Sequence, residues 1–188
     1  GGLHGVGVSC TNALSEWCEV EVSREGKRWY QRYHAGVPEK PVEAVGDTQA
    51  TGTMTRWLAD GSVLTETKYD LHIIKTRLKE LAYLNPKVKF EFVDENDSEH
   101  NEEFHYQRGL PQLVEDVNSG KDSLHHVVYF KRVKESYELE VALQYHDGFN
   151  QTVLAFSNNI HQPDGGTHVS GFSMALTRAV NQYSRKMT

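Results

Sequence analysis

Four of the first seven residues are glycine, in Gly1-Gly2-Leu3-His4-Gly5-Val6-Gly7, and the chain runs from them directly into Val8-Ser9-Cys10-Thr11-Asn12-Ala13-Leu14. Glycine admits backbone angles that other residues resist and lets a ligand approach the main chain with no Cβ in the way. Val8, Thr11, Ala13 and Leu14 are spaced to give a helix one apolar side. The first amides of such a helix lack intrahelical partners and point back into the loop, which makes the loop a natural cradle for an anion such as a phosphate. A glycine turn that binds nothing is the competing reading.

Two better-known phosphate loops are excluded by what is missing. No Gly-Lys-Ser/Thr follows the glycines, so this is not a Walker loop. Gly5-Val6-Gly7-Val8-Ser9-Cys10 lacks the third glycine of a dinucleotide fingerprint, and no strand precedes it. Glu19 and Glu21 alternate with valines and read as the wet face of a strand rather than as a ribose-binding acid.

Other chemistry-bearing residues do not form a constellation. Glu16 and Glu19 are carboxylates without a paired group. His125-His126 with Asp122 lacks third and fourth ligands at zinc spacing. Cys10 and Cys18 are the only cysteines and have no Cys-x-x-Cys spacing, so neither a disulfide framework nor a structural zinc is expected. No residue is nominated as a catalytic base, and no metal ligand is assigned.

The elements that must carry the loop follow from periodicity. Cys18 to Arg24 and Lys27 to Tyr33 alternate around Glu25-Gly26, which predicts a hairpin with Trp29, Gln31 and Tyr33 on one face. Gly36 to Pro41 reads as a loop, and Thr51 to Leu58 as a strand ended by Asp60-Gly61-Ser62. Tyr69 to Leu84 is the clearest helix, with Leu71, Ile74, Leu78 and Leu81 at helical spacing and Asn85-Pro86 as its stop. Lys87 to Asp94 and Glu103 to Tyr106 predict a strand and its return. A module boundary is expected near Arg108-Gly109, before a helix with Pro111 in its first turn. Val127 to Val133, Tyr137 to Tyr145 and Thr152 to Phe156 predict a second sheet, and Thr167 is expected to cap a last helix whose apolar line runs through Phe172, Ala175, Leu176, Ala179 and Tyr183. Two α/β modules in series is the expected architecture.

A chain of 188 residues can bury a real core, and its formal charge of −6 argues against a generally basic nucleic-acid coat without excluding a local basic groove. No signal peptide or membrane-length apolar run is present, and a cytoplasmic location is expected. The chain starts at Gly1 rather than at a methionine and stops at Arg185-Lys186-Met187-Thr188 inside a helical pattern, so it reads as an internal piece of a longer protein.

Gly1 to Gly7 with Asn12-Ala13-Leu14-Ser15 resembles the third nucleotide motif of the GHKL ATPases, in the form found in the B subunits of bacterial DNA gyrases. The resemblance extends along the chain through Thr51-Gly52-Thr53, Arg77-Leu78-Lys79-Glu80-Leu81, Phe104-His105-Tyr106, Val141-Ala142-Leu143-Gln144-Tyr145, Asn158-Asn159-Ile160 and Asp164-Gly165-Gly166-Thr167-His168. It implies an α+β chain: the C-terminal part of a Bergerat-type ATPase α/β sandwich over residues 1–108, then a ribosomal-S5-like transducer domain over 109–188, truncated at its end.

The resemblance also implies ATP and Mg²⁺ as cofactors. Leu3, His4, Gly5, Val6 and Gly7 would hold the nucleotide's phosphates with main-chain amides, Thr53 would help close the adenine pocket, and Arg24 would stand at its mouth. For Thr53 an ordinary strand threonine, and for Arg24 a solvated arginine beside a turn, remain alternatives. Thr55 stands where the family often has an apolar residue. The glutamate base, the Mg²⁺-binding asparagine and the adenine-reading aspartate are expected upstream of Gly1, and the transducer lysine beyond Thr188, so the piece alone is expected to turn over little ATP. His168 receives no catalytic role. The whole protein would be an ATP-hydrolysing type II topoisomerase that supercoils DNA, with DNA, an A subunit and a second B subunit as partners. The B subunit of topoisomerase IV and a non-catalytic binding module of GHKL type are the other readings.

Overall fold

The computed structural model describes residues 5–187, so Leu3 and His4 of the glycine loop lie outside it. The chain is α+β and forms two compact units, Gly1–Tyr69 and Asp70–Thr188.

The first unit is a short helix and an antiparallel sheet. Helix α1 (Gly7–Ala13) leads into β1 (Ser15–Arg24), β2 (Lys27–His34), β3 (Val37–Pro38), β4 (Glu43–Asp47) and β5 (Gly52–Ala59). The order is β3-β2-β1-β5, with β4 also on the outer edge of β2. The predicted hairpin is present: Glu25 and Gly26 both sit at positive φ, +56° and +81°, and Val22 faces Trp29 across the pair. Period-two alternation splits the sheet. One face carries Glu19 between Arg32, at 3.0 Å, and Arg56, at 3.7 Å, with Glu21 at 3.8 Å from Arg28. The other carries Val20, Val22, Trp29 and Gln31, and its Cys18 is buried, which pushes that thiol's pKa up.

Two strands go beyond what the alternation predicts. The segment read as a loop makes a two-residue pairing of Val37-Pro38 with β2, and β4 pairs residues 43–47 with the start of β2. Pro38 is tolerated because it lies on an edge strand, where no partner needs its missing N–H.

The second unit begins at α2 (Leu71–Leu84), one residue after Asp70, whose carboxylate accepts from the amides of His72 and Ile73 at 2.9 and 3.1 Å. Tyr69, read as helical, instead precedes the cap. Then come β6 (Phe90–Phe92), a 3₁₀ turn at Ser98–His100, β7 (Glu102–Phe104), α3 (Leu110–Val117), β8 (Val128–Lys134), β9 (Tyr137–Leu143), β10 (Phe156–Ser157), β11 (Ile160–His161) and α4 (Thr167–Met187). Its core is small: Ala82 is fully buried, Tyr83 is 2% exposed and Phe104 1%. Lys75 joins α2 to the β6–β7 hairpin, paired with Glu102 at 3.2 Å and lying over the Phe92 ring. Asn118, at the end of α3, donates to Gln144, and Gln144 donates to the His125 carbonyl, so the loop before β8 is tied to the end of β9. The His125 ring is fixed by two bonds: Nδ1 donates to the His126 carbonyl and Nε2 accepts from the Tyr145 amide.

Three expectations change in this unit. β6 is three residues long where eight alternate in the sequence, because β7 offers only three partners. Residues 151–155 form no strand, so β8 and β9 remain a two-stranded hairpin rather than a larger sheet; alternation needs a neighbouring ladder to become a strand. Thr167 is the first residue of α4 rather than its cap.

Tyr83 is the centre of this core. Its ring stacks on Tyr106, with centroids 3.8 Å apart and planes within 9°, and its hydroxyl donates to Asp116 on α3. Burial first, then the bond to Asp116, holds the Tyr83 phenol far above its ordinary value of 10.0. A raised folded-state pKa contributes stability that is full below the unfolded value and is lost as pH rises past it. Wild-type protein is therefore expected to lose urea resistance above about pH 10 more steeply than Tyr83→Phe. Parallel pH profiles for the two proteins would refute this; the other tyrosines are common to both and cancel in the comparison.

Candidate functional site

The glycine loop enters the described structure at Gly5, exposed and at φ +67°. Beyond its chain neighbours, a Cβ built there meets no atom of the described residues within 4 Å. The loop therefore needs glycine for its backbone angle, not for want of space inside the protein. Val6 follows as the N-cap of α1 with helical angles and no side-chain capping bond, and the Val6 carbonyl accepts from Cys10 at 2.8 Å. Gly7 is different: it is the first helical residue, its φ is not positive, and its surroundings are also open. What glycine gives at position 7 is an unshielded main chain at a helix start.

The pairing of β1 with β5 positions the other two nominated residues. Val22 lies opposite Thr53, and Ser23 opposite Gly52. Residues directly opposite share a face, as do residues two apart on one strand. Arg24 and Thr53 therefore project from the same face as diagonal neighbours, beside Thr55, which faces Val20. Gly52 sits at φ +154°, a conformation that side-chain-bearing residues rarely adopt, which gives the middle residue of Thr51-Gly52-Thr53 a physical reason. Arg24 is open to solvent, and its Nε is 3.1 Å from the adjacent Glu25 carboxylate. At that exposure the pair adds little stability and leaves the guanidinium free to turn to a ligand.

Arg24 and Thr53 are thus brought together by the sheet. Helix α1 meets the sheet at the other end of β1, where Ser15 opposes Ala59 and the Asp60 amide donates to the Leu14 carbonyl at 3.0 Å. The nominated residues within the described structure are a main-chain group at Gly5 to Gly7 and a side-chain pair at Arg24 and Thr53.

Two contacts escape a reading of the sequence. Trp57 lies on the face that holds Thr53, and its indole N–H donates to the Tyr69 hydroxyl at 2.8 Å. Arg77 on α2 reaches the main chain at Asn159, 82 residues away. The Asn158-Asn159 doublet is the only local signal for that second contact, since both residues suit positive φ. Among the described residues no group of three or more histidine, cysteine or acidic side chains is gathered as a metal site, and no helix is long and apolar enough to cross a membrane.

Comparison with known proteins places this geometry. A family model described as DNA gyrase B matches residues 109–188. The DNA gyrase B protein of Halalkalibacterium halodurans is 44% identical over 188 residues, covering 99% of this chain and 30% of the relative. That of Bacillus mycoides is 45% identical, with 99% and 46% covered, and that of Thermotoga maritima is 42% identical, with 99% and 30% covered. The chain thus spans about a third to a half of the length of these relatives. The crystal structure of the 43K ATPase domain of Thermus thermophilus gyrase B, in complex with an aminocoumarin, superimposes with a TM-score of 0.88 at 34% identity, covering 97% of this chain and 50% of that one. The gyrase B protein of Myxococcus xanthus, at 24% identity and a TM-score of 0.83, shares the fold. Over nearly its whole length the chain is similar to DNA gyrase B proteins.

Proposed function

We propose that this chain is the part of a gyrase B protein that closes on the phosphates of ATP and relays nucleotide state, in a protein that uses ATP to pass and supercoil DNA. Main-chain amides over Leu3 to Gly7 hold the phosphates, Thr53 closes the adenine end, and Arg24 guards the mouth of the pocket. The residues fit such a ligand. Gly5 is exposed and sits at an angle that favours glycine, and the β1–β5 register holds Arg24 and Thr53 on one face. Bound ATP with Mg²⁺ would supply the hydrolysable phosphoanhydride; this chain's own share is to bind and orient, and none of its residues is assigned as the base or as a Mg²⁺ ligand.

The observation that carries the reading is the overlay of 97% of the chain on a gyrase B ATPase domain. The match of residues 109–188 to the family model supports a transducer module over that range, with the ATPase part over 1–108. The partners on this reading are duplex DNA, gyrase A, and a second copy of gyrase B that pairs on ATP binding, all in the cytoplasm.

The test uses intact gyrase B combined with gyrase A. ATP-dependent supercoiling of relaxed plasmid is the expected result. Relaxation without supercoiling would point instead to topoisomerase IV, and a protein that neither binds ATP nor dimerises with it would leave only a binding module.

A further inference from the structure

The hairpin of β10 and β11 is too small to hold itself. Each strand has two residues, Phe156 facing His161 and Ser157 facing Ile160, and the turn between them is Asn158-Asn159 with φ +49° and +66°. Isolated hairpins of this size are at best marginal in water. What holds it is one face of α2. Arg77 Nη2 donates to the Asn159 carbonyl at 2.5 Å, and Arg77 Nη1 donates to Glu80 at 2.8 Å. The Asn159 amide donates to Asn85 at 3.3 Å, and Asn85 donates in turn to the Leu81 carbonyl at 2.8 Å. The second oxygen of Glu80 lies 3.9 Å from His161 Nδ1.

Positions 77, 80, 81 and 85 recur at helical spacing, so the contacts form one continuous strip. Arg77 is its centre. A guanidinium is a rigid planar fork that can serve a carboxylate with one nitrogen and a carbonyl with the other, which a lysine's point charge cannot do in the same geometry. The strip also joins two directions of the chain. Helix α2 follows in sequence from β5, which carries Thr53, and the turn leads through β11 and the Gly165-Gly166 bend into α4.

We propose that Arg77 is a positioning residue for coupling: braced by Glu80, it clamps the Asn158-Asn159 turn to α2, so that a change reaching α2 from the nucleotide-binding part is passed to α4. This rests on the ATP reading. Substituting Arg77 should leave nucleotide affinity intact and uncouple its use. A coupling free energy between sites is a difference that only paired measurements reveal, and spatial intermediacy does not establish it.

The experiment compares wild type, Arg77→Met, Arg77→Lys and Tyr83→Phe in intact gyrase B with gyrase A. ATP affinity, stimulation of ATP hydrolysis by DNA, and supercoiling are measured on each. Tyr83→Phe weakens the same helix without touching the turn, so it controls for loss of stability. Arg77→Met is expected to bind ATP within about twofold of wild type while DNA stimulation and supercoiling fall by about tenfold or more, a typical size for coupling. Arg77→Lys should fall between them, and Tyr83→Phe should stay coupled. Wild-type coupling in Arg77→Met would overturn the proposal, as would an equal fall in ATP affinity and supercoiling, or equal uncoupling by Tyr83→Phe. A wild-type protein that binds no ATP would overturn the ATP reading itself and this proposal with it, a result distinct from the other three.

Discussion

Truncating Phe104 to alanine is expected to lower the unfolding free energy of Asp70–Thr188 by about 3–5 kcal/mol, the usual cost of emptying a fully buried aromatic site. Phe104 ends β7, is 1% exposed, and is one of very few buried side chains among the described residues. A larger core could share the loss, but here its neighbours are a two-stranded hairpin and α2, with Ala82 and Tyr83 the buried residues of that helix. Against a typical total of about 5–15 kcal/mol, the change removes a large share of the margin. Urea unfolding followed by far-ultraviolet circular dichroism measures it as a fall in midpoint. Tyr137→Ala, at a residue 73% exposed, is the internal comparison and should stay within about 0.5 kcal/mol. An unchanged midpoint for Phe104→Ala would mean that the buried cluster is not the core of this unit.

The second large effect is functional. Gly5→Val is expected to weaken ATP binding by intact gyrase B about a hundredfold or more, roughly 2.7 kcal/mol, with little change in melting temperature. Gly5 sits at φ +67°, where a left-handed backbone costs an L-residue about 1–2 kcal/mol and a β-branched one is a true outlier. Beyond its chain neighbours, no atom of the described residues lies within 4 Å of the added Cβ, so the described fold has no reason to suffer. The loss comes from moving the loop's amides and from putting a side chain in the ligand's path. Gly7→Val separates those two causes. Position 7 has no positive φ and is equally open, so valine there tests obstruction alone. Titration calorimetry with a non-hydrolysable ATP analogue reads both variants. Tight binding by Gly5→Val would show that the loop does not hold the phosphates.

The two tests address different layers of the molecule. Phe104 concerns whether the second unit stands, and Gly5 concerns what an intact first unit can hold. The Arg77 experiment lies between them, because it asks whether a standing fold that holds its ligand also uses it.

What the sequence determined by itself was local or motif-borne. Alternation around Glu25-Gly26 predicted the β1–β2 hairpin, since period two and a turn that tolerates positive φ are written in neighbouring residues. The stripe from Leu71 to Leu81 and the stop at Asn85-Pro86 predicted α2 for the same reason. The glycine loop and the motifs after it carried the resemblance to gyrase B proteins, because several motifs in one order are read residue by residue. Tertiary structure decided what depends on partners distant in the chain. It added β4 along the open edge of β2, cut β6 to the length that β7 could match, and left residues 151–155 without a ladder. It also placed Arg24 beside Thr53 through the β1–β5 register and set Arg77 against Asn159 across 82 residues. A strand's existence and a side chain's partner are both settled by which backbone lies alongside, and that is fixed only when the chain has folded.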